Sequence, residues 1–164
     1  MSSSGPRPDV VVLRHPRERI SKCSLRHLHE RPGFLFRRAL PDLRYDGTDH
    51  ILLAVDAEPL SAADAEHPLL LLDSTWRYLP RVAACVVGEP IRRSIPAWVT
   101  TAYPRVSRNF EDPPAGLASV EALYVAWRIL HGDDPTLLDG YHWKDKFLAQ
   151  LDAATERGSL DGRP

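Results

Sequence analysis

The sequence predicts an α/β fold, with one domain built on a parallel sheet that has helices on both faces. Two apolar runs, at residues 51–55 and 69–72, contain no alternating polar residues. Such runs are typical of parallel strands that are covered on both sides. Segments with helical patterns alternate with these strands, as in α/β domains. The chain has 164 residues, of which 43% are hydrophobic, so it can bury one core without help from disulfides or metal ions.

Short apolar or β-branched runs predict the strands, at residues 10–13, 51–55, 69–72 and 97–101. The first run ends at Arg14 and His15, and Asp73 directly follows the third. In open parallel sheets, ligands bind beyond the carboxyl ends of the strands. The sequence therefore places Asp73 where a site is expected.

Capping residues and helix breakers set the predicted helices, at residues 24–30, 75–85, 119–131 and 143–154. Ser24 is the predicted cap of the first helix, and Pro80 makes the second short or bent. Ser119 can cap the third helix, Glu121 lies in its first turn and Gly132 ends it. The third helix is the most clearly bounded element of the chain.

The whole chain is predicted to divide into an arm, one domain and a tail. Residues 1–8 are predicted to form a flexible N-terminal arm, residues 9–154 the folded domain and residues 155–164 a C-terminal tail. Within the domain, residues 102–116 are rich in Pro and turn-forming residues, and a loop of that length is usually functional.

Composition favours a cytoplasmic protein. No apolar run approaches about 18 residues, and the N-terminus lacks the apolar region of a secretory signal. Cys23 and Cys85 are isolated cysteines, which form neither a disulfide framework nor a zinc site and suit a reducing compartment. We therefore expect no membrane association and no bound metal.

Charge is distributed unevenly along the chain. Residues 1–45 carry ten Lys and Arg against four Asp and Glu, a net charge of +6, whereas residues 109–164 carry five against ten, a net charge of −5. Arginine outnumbers lysine 18 to 3, and arginine forms forked bonds with phosphate and stacks on bases. A GC-rich genome produces the same excess of arginine, so composition alone does not separate RNA binding from codon usage.

Two segments could carry chemistry. Asp73, at a strand end, can accept a proton, orient a hydrogen-bond donor or simply cap the next helix, and the residues alone leave these roles open. Residues 14–24 form a basic turn that can hold a phosphate or a carboxylate, or can be an ordinary solvated surface. The motifs of serine hydrolases, P-loop proteins, dinucleotide-binding proteins and zinc proteases are absent from the sequence.

Six ordered segments resemble the aminocarboxypropyltransferases of the SPOUT class, at residues 14–18, 22–24, 70–76, 93–99, 117–123 and 137–148. Lys22-Cys23-Ser24 is similar to the Lys-Cys-Ser/Thr turn of the branch that modifies small-subunit ribosomal RNA. The closing segment from Leu137 to Trp143 resembles the same branch. Each motif is weak alone, but six in the family's order are specific.

Other segments resemble the sister branch, which modifies uridine in tRNA. Arg14-His15-Pro16-Arg17-Glu18 is similar to its His-Pro-x-Glu, and Asp73-Ser74-Thr75-Trp76 has its Asp-x-Thr-Trp form. The N-terminal cysteine cluster of that branch is absent, which favours the ribosomal branch. Residues 100–107 depart from the family's Ala-Ala-Asn-Pro-x-Asn-Tyr-Gly, and Ala115 stands where the family has an aromatic residue.

The resemblance implies a trefoil knot, S-adenosylmethionine as co-substrate, and transfer of its 3-amino-3-carboxypropyl group to N3 of a uridine or pseudouridine. Asp73 is the implied base or orienting group. The implied contacts to S-adenosylmethionine, several of them through backbone, are Ser24, Leu70, Trp76, Ile95, Ala115 and Ser119. Trp76 would cover the S-methyl group and leave Cγ open to attack. The basic residues expected to contact RNA phosphates are Arg14, Arg17, Arg19 and Lys22.

Three alternatives stay open. The first keeps the reaction and changes the substrate from small-subunit rRNA, or its precursor particle, to tRNA. The second is methyl transfer, which is the common SPOUT activity. The third is an RNA-binding assembly factor without catalysis, which the altered segment at residues 102–107 favours. The sequence does not predict the oligomeric state.

Overall fold

The computed structural model describes residues 7–17, 24–54, 56–75, 77–102 and 117–155. The chain divides into two compact units. The first unit comprises Met1–Leu53 and Glu66–Arg92, and the second comprises Ala54–Ala65 and Arg93–Pro164. No helix within the described ranges is both long and apolar enough to cross a membrane.

Five strands form the main sheet, namely β1 (Val10–Arg14), β2 (Phe34–Arg38), β4 (Ile51–Leu53), β5 (Leu69–Asp73) and β7 (Ile91–Arg93). Their spatial order is β2-β1-β5-β4-β7. The pairs β1–β2, β1–β5 and β4–β5 are parallel. A second sheet of two short parallel strands contains β3 (Tyr45–Asp46) and β6 (Val86–Val87). The predicted α/β class with a parallel sheet is therefore confirmed.

The apolar runs explain which strands lie at the centre. All five residues of β1 are buried, and Val10 to Leu13 have no exposed surface. β1 and β5 each have a neighbour on both sides, so strands without polar alternation suit these positions. The strands predicted at residues 10–13 and 69–72 are confirmed, and each extends by one residue, to Arg14 and to Asp73. The strand predicted at residues 51–55 is shorter than expected and ends at Leu53.

β2 was not predicted, although it pairs with β1 along its whole length. Phe34 and Phe36 are half-buried, whereas the residues between and after them are exposed. This alternation is typical of an edge strand with one covered face, and it was the signal that apolar runs alone did not reveal.

The short helices of the first unit are smaller than their sequence patterns suggest. Only one 3-10 turn, at Arg26–Leu28, forms within the helix predicted over residues 24–30, and that prediction is wrong in extent. Leu25, rather than the predicted Ser24, occupies the capping position of this turn. α1 covers only Leu79–Ala83 with Pro80 in its first turn, as a proline in this segment requires.

The second unit holds the longer helices, α2 (Ser119–His131) and α3 (Lys144–Thr155). α2 has the predicted bounds and ends at Gly132, whose φ of 102° favours glycine. Its capping position is Ala118, so the predicted cap, Ser119, is instead the first helical residue. Phe147 of α3 packs edge-on against Tyr124 of α2.

The strand predicted at residues 97–101 does not form. Val99 N–H donates to the Pro96 carbonyl, which makes a turn. The Gln150 amide donates to the Thr101 carbonyl, at 3.3 Å. This backbone acceptor is therefore satisfied by a side chain of α3 rather than by a neighbouring strand, and the apolar run serves the core of the second unit, where Val99 is buried.

Several predictions remain untested. Most of the predicted arm (residues 1–6), loop (103–116) and tail (156–164) lies outside the described residues. The trefoil knot, the helices on both faces of the sheet and the single domain over residues 9–154 stay predictions.

Candidate functional site

The carboxyl edge of the main sheet carries an ion pair between its two central strands. Arg14 and Asp73 are the last residues of β1 and β5 and lie opposite each other in the register. Arg14 Nε donates to Asp73 Oδ2 at 3.3 Å, and the two side chains are 7% and 11% exposed. His15 N–H also donates to the Asp73 carbonyl, at 3.1 Å. The carboxylate of Asp73, which the sequence predicted as a site residue, is thus bound by a residue of the neighbouring strand β1.

Arg14 has a second partner in His29. Arg14 Nη1 lies 2.9 Å from His29 Nε2, and a guanidinium only donates, so Nε2 is the acceptor and His29 is neutral in this arrangement. Burial, then the Arg14 charge, lowers the pKa of His29. The imidazole stacks on Phe36 at 4.0 Å between ring centres, and the Arg14 guanidinium carbon lies 5.3 Å from the centre of the Phe36 ring. The contacts of Arg14 with Phe36, His29 and Asp73 therefore fix its side chain.

A basic–aromatic cluster lies next to this ion pair and consists of His15, Arg17, Arg77, Tyr78 and Arg81. The His15 ring stacks on Tyr78 with 4.2 Å between centres and 10° between planes. The guanidinium carbons of the three arginines lie 5.4 to 5.9 Å from the centre of the Tyr78 ring. All three arginines are exposed. The cluster thus presents three positive charges around one aromatic ring.

His15 supports this cluster as a neutral ring. Arg17 N–H donates to His15 Nδ1 at 3.1 Å, which leaves the ring proton on Nε2. Burial, followed by the charges of Arg81 and Arg17, lowers the pKa of His15. The imidazole is therefore an uncharged stacking partner for Tyr78 at neutral pH.

The second unit contains a buried carboxylate with four donors. Glu121 Oε1 accepts from Thr101 Oγ1 at 2.6 Å and from Ala118 N–H at 2.8 Å. Oε2 accepts from Ala102 N–H at 2.8 Å and from the Tyr141 hydroxyl at 3.1 Å. Glu121 has no exposed surface. Because Ala102 and Ala118 lie on either side of the segment 103–116, one carboxylate fixes both flanks of that segment.

The sequence-predicted residues fall into three groups. The first unit brings Arg14 and Asp73 into contact and places Arg17 in the adjoining cluster. Ser24 lies half-buried in the turn before Arg26–Leu28, and Leu70 is the fully buried second residue of β5.

Of the remaining predicted residues, Ile95 and Ser119 belong to the second unit and are half-buried. The others, Arg19, Lys22, Trp76 and Ala115, lie outside the described residues. Their expected contacts stay predictions.

Sequence reasoning missed four residues of this site, namely His29, Arg77, Tyr78 and Arg81. It also identified Glu121 only as an acidic residue that stabilises the first turn of a helix. Three and four positions after Glu121, on the same face of the predicted helix, stand Tyr124 and Val125 rather than basic residues. An acid on such an apolar face was a signal that Glu121 is buried and bonded.

Within the described residues, no group of three or more His, Cys, Asp or Glu side chains has the arrangement of a metal site. The site at the carboxyl edge of the main sheet instead combines a carboxylate, guanidinium groups and aromatic rings. Such groups can accept a proton, bind phosphate and stack on bases.

Comparison with known proteins relates the fold to one solved structure. No protein-family model matches the sequence, and no curated protein matches it. The structure of the SAM-dependent rRNA:acp-transferase Tsr3 from Vulcanisaeta distributa superposes with a TM-score of 0.66 at 21% sequence identity. The match covers 92% of this chain and 82% of that chain. At this identity, the similarity shows that the two chains share a fold.

Proposed function

We propose that this chain transfers the 3-amino-3-carboxypropyl group of S-adenosylmethionine to N3 of a uridine or pseudouridine in small-subunit ribosomal RNA. The observation that carries the proposal is the position of Asp73. It begins the Asp-x-Thr-Trp motif, ends a central strand and is held by Arg14, in a chain that shares the fold of an rRNA:acp-transferase. The proposed transfer needs one carboxylate at such an edge and no metal.

The residues present fit this co-substrate. β5 is apolar from Leu69 to Leu72 and ends in a carboxylate, so apolar surface and a proton acceptor adjoin each other. The Leu70 side chain has no exposed surface, and we assign any contact of this residue to its backbone. We assign further contacts to Ser24 and Trp76, and to Ile95, Ala115 and Ser119.

Asp73 is the proposed catalytic residue. When bound, S-adenosylmethionine supplies an electrophilic Cγ whose bond to the sulfonium breaks with the electron pair going to sulfur. Asp73 accepts the N3–H of the uridine as a hydrogen bond, orients the ring and takes the proton as the new N–C bond forms. Trp76 is assigned to cover the methyl group, so that orientation selects the carbon that is transferred.

Arg14 takes a different role from the one its sequence position suggests. Its side chain is 7% exposed and binds Asp73 and His29 within the protein. We therefore assign Arg14 to positioning Asp73. Contact with RNA phosphates is assigned to Arg17, which is exposed, and to Arg19 and Lys22.

Nucleoside mass spectrometry of a deletion strain tests the proposal. We expect aminocarboxypropyl-uridine or its pseudouridine form to disappear from small-subunit rRNA and to remain in tRNA. The wild-type gene should restore it, and a gene carrying Asp73→Asn should not, whereas Asp46→Asn should restore it because Asp46 is an exposed residue at the end of β3 that accepts from Thr48 N–H.

The same measurement decides between the open alternatives. Loss of the nucleoside from tRNA alone would move the substrate to tRNA, and loss of a methylated nucleoside would indicate a methyltransferase. If every modified nucleoside persists while ribosome assembly is impaired, the chain is an assembly factor and the proposed transfer is wrong.

A further inference from the structure

Apart from Arg17, which is assigned above to contact RNA phosphates, the exposed residues of the basic–aromatic cluster have no role in the proposed reaction. Arg17, Arg77 and Arg81 converge on Tyr78, with guanidinium carbons 5.9, 5.4 and 5.7 Å from the ring centre. Within the described parts of the chain, none of the three guanidinium groups pairs with a carboxylate. Three like charges around one ring repel one another, so the arrangement favours an anionic partner that is supplied from outside.

The elements that carry these side chains are well supported. Tyr78 N–H donates to Thr75 C=O at 3.0 Å, and Arg81 N–H donates to Tyr78 C=O at 3.0 Å at the start of α1. The buried His15 ring backs Tyr78. A supported ring with arginines around it provides a fixed platform at low cost in side-chain entropy.

We infer that Arg17, Arg77, Arg81 and Tyr78 form the docking surface for the backbone of the substrate RNA. The inference rests on the proposed function, because it takes RNA as the partner. Arginine forms forked bonds to phosphodiester oxygens, and an aromatic ring among arginines accepts an unpaired base by stacking. His15 N–H bonds the Asp73 carbonyl, so the surface adjoins the catalytic carboxylate. RNA docked here is held beside the residue that meets the target uridine.

A triple variant, R17Q/R77Q/R81Q, tests the inference by binding rather than by catalysis. Fluorescence anisotropy with a fluorescein-labelled single-stranded RNA of mixed sequence gives Kd at several salt concentrations. We expect Kd to rise at least about 10-fold, and the slope of log Kd against log salt to fall by about 2, since each contact to single-stranded phosphate contributes about 0.7. Binding of S-adenosylmethionine by calorimetry should be unchanged.

A second set of arginines in the same unit provides a charge-matched control. Arg7, Arg37 and Arg44 are exposed residues of the first unit that lie outside the basic–aromatic cluster. Arg44 precedes Tyr45 and donates to the carbonyls of Pro41 and Leu43. The variant R7Q/R37Q/R44Q removes the same charge, and we expect it to change Kd less than about 3-fold, which is the effect of net charge alone.

The outcomes distinguish a failure of the proposed docking surface from a failure of the proposed reaction. If R17Q/R77Q/R81Q binds RNA like the wild type, or if both triple variants lose the same affinity, the docking surface is wrong even where transfer to RNA is observed. If the first variant alone loses RNA affinity while the wild type transfers nothing to RNA, the surface stands and the proposed reaction fails. The variant Y78L separates stacking from charge, and we expect it to raise Kd and to leave the salt slope unchanged.

Discussion

Arg14 Nε donates to Asp73 Oδ2 at 3.3 Å between the ends of two neighbouring parallel strands. Both side chains are largely buried, and His29 binds the guanidinium from the other side. The strand register alone brings the two residues opposite each other. The geometry of the candidate site is therefore set by the pairing of the two central strands.

Asp73→Asn should remove catalysis and keep the fold. Asparagine retains one acceptor oxygen for Arg14 but cannot take a proton, so we expect the turnover rate to fall by about 100-fold or more. S-adenosylmethionine affinity should change little. Single-turnover assays and calorimetry check the two quantities, with Asp46→Asn as the control. A variant that keeps the wild-type turnover rate would remove Asp73 from the mechanism.

Arg14→Met should destabilise the protein by about 3 kcal/mol, because it leaves the Asp73 carboxylate buried without its cationic partner. Replacing both members by apolar residues, as in R14M/D73L, removes the unpaired charge and should restore most of that free energy of unfolding. Urea denaturation of the single and double variants measures the cycle. If the two single costs simply add in the double variant, the ion pair does not couple the strands.

Glu121→Gln should loosen both flanks of the segment 103–116. Glutamine is uncharged and presents one acceptor oxygen instead of two, so one of the two backbone N–H groups loses its acceptor and the other keeps only a weaker, neutral one. We expect a loss of about 2 kcal/mol in the free energy of unfolding and faster amide hydrogen exchange at Ala102 and Ala118. Asp152→Asn, an exposed change in α3, is the control. Unchanged exchange at both amides would show that Glu121 does not hold the segment.

Acid should destabilise the contacts with Phe36, His29 and Asp73 that fix the Arg14 side chain. Burial and then the Arg14 charge lower the pKa of His29 below its ordinary value of 6.5, so between the two pKa values the unfolded chain binds more protons than the folded chain. Stability therefore rises with pH in this window and is lost as the pH falls below about 6.5. His15, whose pKa is also lowered, acts in the same direction.

The measurement for this effect is urea denaturation between about pH 7 and pH 5.5. His29→Gln places an uncharged acceptor near Arg14 Nη1 and should reduce the loss of stability across this range. His131→Gln is the control, since His131 is exposed at the end of α2. A pH dependence identical to that of the wild type in His29→Gln would mean that His29 does not titrate against Arg14.

The central strands and α2 could be predicted from sequence because their signals are local. The apolar runs that became β1 and β5, and the acid, glycine and apolar spacing of α2, each determine one element without help from distant residues. β2 and the false strand at residues 97–101 depended on which neighbour satisfies the backbone. Gln150, about 50 positions away, supplies that partner in the second case, and no local pattern contains it.

The candidate site was predicted in part for the same reason. Asp73 could be found because it ends a recognisable strand within a motif. The roles of His29 and Tyr78 arise from stacking on Phe36 and His15, and these contacts exist only after the strands have paired. The burial of Arg14 likewise follows from the register of β1 with β5, which a basic run in the sequence does not show.

Transfer of the aminocarboxypropyl group itself is tested most directly by incubating the protein and small-subunit RNA with S-adenosylmethionine that carries one label in its carboxyl group and a second in its methyl group. The proposed reaction predicts that the carboxyl label enters the RNA, that the methyl label stays out, and that Asp73→Asn abolishes incorporation. Entry of the methyl label into the RNA, or entry of neither label when the protein binds both partners, would contradict it.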